Sequence, residues 1–207
     1  MIRNSFFAAA LVSIGVFACA RTGAAQDITW NVNNALALGT GCSSIRGDTA
    51  FISNGNDLSI LFSNFGVNMQ PNDGQGVSAT VNCAVRVAAT LHKGFYLSNL
   101  QQTITYGVNK SANTSGRITA LDSFFGAPVS SFTVNIPFGP MNRPAVTQTK
   151  NNALLMVSAC GGGDLAGLFK SNLAVGVVRA SVHEDLILGT EGLDIRYDIT
   201  APFLVCP

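Results

Sequence analysis

With two histidines in the sequence, any hydrolytic chemistry that needs a base near neutral pH falls to His92 or His183. His183-Glu184-Asp185 sets an imidazole beside two carboxylates, and a serine brought from elsewhere in the fold would complete a hydrolase triad. A polar turn between two strands explains the same residues without chemistry. His92-Lys93-Gly94 likewise reads as the end of a strand. Glu184, Asp185, Glu191 and Asp194 come nearest to a glycosidase pair, but sequence does not set the carboxylate separation that reaction needs. No Gly-x-Ser-x-Gly elbow occurs, and Gly161-Gly162-Gly163 lacks the Lys-Ser/Thr of a phosphate loop. No catalytic residue is assigned.

Asn54, Asn56 and Asp57, or Asn72 and Asp73, offer oxygen atoms to calcium, yet neither group has the acidic count or spacing of a known loop motif. Turn chemistry accounts for both, and no metal or cofactor is expected. Cys42, Cys83, Cys160 and Cys206 are too far apart in sequence for a zinc site, which needs closely spaced ligands. In an exported chain they read as two disulfides. Cys42–Cys83 with Cys160–Cys206 is the favoured pairing, since each bond closes a loop within one half of the chain. Asn109-Lys110-Ser111 and Asn113-Thr114-Ser115 are two glycosylation sequons in one polar loop, meaningful only in a eukaryotic secretory route.

Export itself is read from the N-terminus. One positive charge at Arg3, an apolar run from Phe6 to Ala20 and small residues at Ala24 and Ala25 make a signal peptide over residues 1–25, with residues 26–207 as a single secreted domain. Cleavage after Ala20 or Ala24 also fits. A lipoprotein reading, with Cys19 acylated, would anchor the chain to a membrane. The apolar run is short for a span, which needs about 20 residues.

Removing the leader takes Arg3 and Arg21 away and leaves ten basic against eleven acidic residues. The remaining Lys and Arg are scattered along the sequence, which argues against a nucleic-acid partner. Charged residues are 11% of the chain, well below the roughly 25% of an average soluble domain. Asn, Ser, Thr, Gln and Gly must therefore solvate the surface.

These residues are carried by strands. From Val77 to Leu91 every second residue is apolar, which sends Cys83, Val85 and Val87 to the core and Asn82 and Arg86 to the other face. Further strands are predicted at Thr49–Ser53, Leu58–Phe65, Tyr96–Val108, Arg117–Phe125, Ser130–Phe138, Leu154–Cys160, Leu173–Ser181, Leu193–Thr200 and Phe203–Cys206. Turn signals such as Asn54-Gly55-Asn56-Asp57, Pro71-Asn72-Asp73-Gly74 and Asn142-Arg143-Pro144 separate them. Residues 164–170 read as one helical turn, and 26–41, with Trp30, as a first edge strand or an arm. The sum is an all-β chain, an antiparallel β-sandwich of the jelly-roll or immunoglobulin-like kind.

With strands and cysteines placed, the pattern resembles a family of secreted proteins known only as a domain of unknown function, DUF4360. The resemblance rests on Gly39-Thr40-Gly41-Cys42, Leu61-Phe62 with Phe65, Asn82-Cys83, Gly94-Phe95, Phe138-Gly139-Pro140, Cys160-Gly161 and Cys206. Ser43, Val81 and the lack of a tryptophan beside Cys160 or Cys206 depart from it. It implies a secreted β-sandwich with paired cysteines and no catalytic residues to carry over.

The sequence therefore points away from an enzyme and toward an extracellular or cell-envelope protein that binds or assembles, with a glycan, another protein or its own copies as partner. A hydrolase using His183 with Glu184 or Asp185 is the alternative. A secreted inhibitor or effector acting through the loop at 109–116 is another. Phe124-Phe125 and Phe132/Phe138 are the rings that an exposed sugar platform would draw on.

Overall fold

The computed structural model describes residues 27–129, 131–188 and 195–207. The predicted signal peptide with Cys19, and Ser130, Glu191 and Asp194, lie outside them. In chain order the strands are β1 (Ile28–Leu38), β2 (Thr49–Asn54), β3 (Asp57–Phe62), β4 (Val67–Met69), β5 (Ser78–Leu91), β6 (Phe95–Lys110) and β7 (Thr114–Phe124). They continue with β8 (Ala127–Pro128), β9 (Phe132–Ile136), β10 (Met141–Ser158), β11 (Leu165–Arg179), β12 (Leu186–Leu188), β13 (Ile195–Thr200) and β14 (Phe203–Val205). The expected all-β sandwich is what forms. One sheet runs β1-β5-β11-β7-β8 with β9 also on β7, and the other runs β2-β3-β13-β6-β12-β4 with β10 and β14 also on β6. No helix among the described residues is long and apolar enough to cross a membrane.

Alternation decides which face of each strand is buried. Cys83, Val85, Val87, Ala89 and Leu91 of β5 meet Ile104, Tyr106 and Val108 of β6 in the core, and Asn82, Ala84 and Arg86 look outward. Val77, expected to start this strand facing inward, lies before it and is exposed. Residues 28–38 form an edge strand paired to β5, not a loose arm. Trp30 fixes that strand: it is buried, packs edge-on to Phe124 at 5.8 Å and Phe169 at 6.2 Å, and donates its Nε1 proton to the Asn56 carbonyl.

Two expectations need correction. Asn142-Arg143-Pro144 is not a turn but part of β10, which is far longer than the predicted 154–160 strand. Among the described residues β10 pairs only with β6, and Pro144 sits where the register shifts between Arg143 and Val146, so its missing N–H breaks no ladder. Residues 164–170 are not a helical turn either, since Leu165–Lys170 opens β11 and pairs with β5. Gly167 is required there, because a Cβ would lie 2.2 Å from the Phe125 ring that crosses it.

Both favoured disulfides form, Cys42–Cys83 and Cys160–Cys206. The first is buried against β5, and the second ties the C-terminus to the end of β10.

A polar network crosses the core between the sheets. Asp122 of β7 accepts hydrogen bonds at Oδ2 from Gln102 of β6 and from the Tyr197 hydroxyl of β13, while Asn152 of β10 donates to the Gln102 carbonyl oxygen. Gln102 also donates to the Tyr197 oxygen at 2.7 Å. Burial raises the Asp122 pKa, and these donors together with nearby Ser171 only partly oppose it. Asp122 Oδ1 and Ser171 Oγ face each other without a well-formed hydrogen bond.

A carboxyl with a raised native pKa binds its proton more tightly folded than unfolded. Its favourable contribution is complete below the unfolded value of 3.8 and is lost as pH rises through the native one. Asp122→Asn keeps an acceptor and removes the charge. Urea unfolding at several pH values should show the variant gaining on the wild type as pH rises above about 4, by at most ~1.4 kcal/mol per pH unit. A pH-independent difference would mean that Asp122 does not titrate between the two states.

Candidate functional site

His183, Glu184 and Asp185 do form a polar turn after β11. Glu184 accepts hydrogen bonds from the Ser111 hydroxyl and, at 2.8 Å, from the Asn113 amide, and these donors hold its carboxyl below the usual range. Among the described residues no serine or threonine hydroxyl bonds the His183 ring. The carboxylate that would serve chemistry instead fastens the 111–113 turn. Asn109 lies on β6, exposed, so the two sequons do not share one loop, and the Asn113 amide is engaged. Asn54 and Asp57 sit at the β2–β3 turn, and Asp73 is bound to Arg179; no group of three His, Cys, Asp or Glu among the described residues could hold a metal ion.

His92 has the more organised surroundings. Its Nε2 lies 2.8 Å from Thr29 Oγ1 and its Nδ1 3.1 Å from Asp164 Oδ2, while Asp164 Oδ1 accepts the Lys93 backbone N–H. The Lys93 N–H and His92 hold the Asp164 carboxyl below its ordinary pKa. In order the chain is that of a triad. A triad acts only beside a pocket that seats a carbonyl and supplies oxyanion donors, and neither depression on this face includes these residues. Its hydrogen bonds join β1, β5 and the start of β11.

The two outer faces differ in what they leave unpaired. On the β6 sheet Thr103 bonds Thr149, Thr105 bonds Thr147, Gln101 bonds Asn151, and Ser59, Asp198 and Arg196 bond one another. That face satisfies itself, apart from a depression of about 450 Å³ beside Asn54, Asp57 and Thr200.

On the β5 sheet the register lays out rows of outward side chains. Leu36, Arg86, Lys170 and Ser123 share one row, followed along β11 by Leu38-Ala84-Asn172-Leu121, Asn82-Ala174-Thr119 and Thr80-Gly176-Arg117-Asn135. Ala84, Ala174 and Gly176 keep the middle low. Two successive depressions, about 360 and 490 Å³, follow β11 there and form a trough. Leu38 and Leu121 wall one end, and Phe138, 64% exposed, stands at the other beside Arg117 and Asn135. The other rings do not make a platform, since Phe124 and Phe132 are buried and Phe125 lies over Gly167.

A sequence profile of a family described as a domain of unknown function, DUF4360, matches residues 29–182. The chain belongs to the DUF4360 family. The matched stretch runs from β1 to the turn after β11, so every trough residue lies inside the DUF4360 region. No curated protein matches the chain in sequence. Among solved structures, TmCBM61 in complex with β-1,4-galactotriose has a TM-score of 0.30 at 6% identity, over 84% of this chain and 90% of that one. The family 11 carbohydrate-binding module of Clostridium thermocellum, in complex with a β-1,3-1,4-mixed-linked tetrasaccharide, has 0.22 at 9%, over 89% and 91%. The adhesin domain of Epf from Streptococcus pyogenes has 0.23 at 10%, over 84% and 60%. Likenesses this weak carry no functional argument.

Sequence reasoning missed the trough and the His92 chain for one reason: register, not spacing, brings their residues together. A trace was present, in that Arg86 falls on the outward parity of β5.

Proposed function

We propose that this is an extracellular, non-enzymatic binding protein that takes an extended glycan chain along the trough on the outer face of the β5 sheet. The observation that carries the reading is Phe138, an exposed ring beside the Arg117 guanidinium, the Asn135 amide and the Thr80 hydroxyl, at the end of a floor made of Ala and Gly. A sugar ring has an apolar C–H face and a rim of hydroxyls. An exposed aromatic face takes the first, and unpaired donors and acceptors at its edge take the second. The low, small-residue floor lets a polymer lie along β11 over several units. The two disulfides suit an oxidising compartment, in keeping with export.

A glycan array followed by calorimetric titration of the best binder tests this. Phe138→Ala should weaken binding at least about tenfold, or ~1.4 kcal/mol, as loss of a central anchor does. Its unfolding midpoint should stay where it was, because the ring packs into no core. Retention of full affinity in Phe138→Ala would move the site elsewhere, and the depression at Asp57 would be next to examine.

A further inference from the structure

We infer that the glycan taken by this trough is anionic, a polysaccharide that carries carboxylates along its length; the inference rests on the glycan reading above. Arg86 and Lys170 are directly opposite one another on β5 and β11, both exposed, in the row just beyond the Leu38–Leu121 end of the trough. Arg117 lies on β7 in the row of Gly176, six residues further along β11 than Lys170, which is about 20 Å at the rise of a strand.

None of the three cations has a hydrogen bond or ion pair among the described residues, and no acidic side chain lies in the outward rows of β5, β11 and β7. Like charges directly opposite in a sheet repel, and an anion seated between them reverses the sign of that interaction. With ten basic residues in the chain after its leader, three gather on this face. Among the described residues, the remainder of the molecule holds seven basic against nine acidic residues. A chain whose total charge is nearly zero thus presents one positive face, and that face is the one with the trough.

The spacing identifies the ligand as a polymer. One carboxylate would satisfy the Arg86–Lys170 pair and leave Arg117 untouched, whereas a chain spanning about 20 Å reaches both. The stretch between them is floored by Ala84, Ala174 and Gly176 and edged by the Asn82 and Asn172 amides, which suits sugar hydroxyls.

The test uses one backbone in two charge states. Binding of the full mature protein is measured to polygalacturonate, to the same polymer fully methyl-esterified, to a neutral β-glucan and to poly-glutamate. Polygalacturonate should bind at least about tenfold tighter than its methyl ester at low salt, and the gap should close at about 1 M salt, where screening acts within about 3 Å. Arg86→Gln with Lys170→Gln should erase the preference while the protein remains folded. Equal binding to polygalacturonate and its ester would overturn the inference and leave the glycan reading standing. Binding to none of the polysaccharides would overturn both. Tight binding to poly-glutamate without polygalacturonate would make the partner an acidic protein and overturn it as well.

Discussion

Replacing Arg179 with alanine is expected to lower the unfolding free energy by about 3–5 kcal/mol, the range for removing one partner of a buried charged cluster. Arg179 ends β11 on its inward parity, after Val175 and Val177, and is 1% exposed. All five of its N–H donors are used. Nε donates to the Gly76 carbonyl, Nη1 to those of Gln70 and Glu184, and Nη2 to that of Gln75 and to Asp73 Oδ1. One side chain thereby closes the 70–76 loop and fixes the turn that follows β11. Loss of the guanidinium removes the donor from the Gly76, Gln75 and Glu184 carbonyls and leaves the Gln70 carbonyl only the Asp73 N–H, and each carbonyl left buried without a donor costs about 1–3 kcal/mol before relaxation.

Asp73 gives the control. Partial burial pushes its pKa up, but the N–H groups of Gln75 and Gln70 and the Arg179 guanidinium outweigh that and hold it below the carboxylate norm. Its stabilising contribution is therefore present above the ordinary value of 3.8 and lost as pH falls through the lowered one. Asp73→Asn should unfold much closer to the wild type than Arg179→Ala, because the carbonyls keep their donor. Arg179→Lys should recover little, since an ammonium cannot reach five divergent acceptors. Chemical denaturation of the three variants decides the matter, and a lysine variant as stable as the wild type would show that charge alone is needed.

How far the sequence reaches can be seen strand by strand. β5 was legible because one face is buried and the other wet, so its apolar residues fall on alternate positions. β10 was not, because among the described residues it pairs on one side only and it carries polar residues on both faces, leaving no contrast to read; Pro144 then mimics a turn signal. The start of β11 failed for the opposite reason. Leu165, Ala166 and Leu168 are all exposed on an apolar outer surface, so inward and outward positions look alike. Polar residues on inward parity carried a signal that alternation could have exposed: Asp122 follows Ile118 and Ala120, Gln102 precedes Ile104, and Arg179 follows Val177. Each proves to be a buried, bonded group. The cationic face around the trough has no such mark, because Arg86, Lys170 and Arg117 are ordinary outward cations until pairing places them on one sheet face.

Removing either disulfide by a paired Cys→Ala change should cost about 4 kcal/mol, given chain-entropy loss for sequence separations of 41 and 46. The two should differ in what else they take away. Cys160–Cys206 secures the C-terminus, where the Cys206 N–H also bonds the Gly94 carbonyl, at a distance from the trough. Cys83 lies beneath the trough between Asn82 and Ala84, two of its outward residues. Its partner belongs to a segment pressed onto the β5 backbone. Gly41 donates to the Asn82 carbonyl, and a Cβ at Gly39 would lie 2.0 Å from that oxygen, so the approach tolerates no side chain. Cys42→Ala with Cys83→Ala releases this segment and with it the Leu38 wall. At a temperature where both variants remain folded, that pair should therefore weaken the proposed glycan binding several-fold more than Cys160→Ala with Cys206→Ala. Equal affinities in the two variants would show that the trough keeps its shape without the bond beneath it, and that the Cys42–Cys83 disulfide serves stability alone.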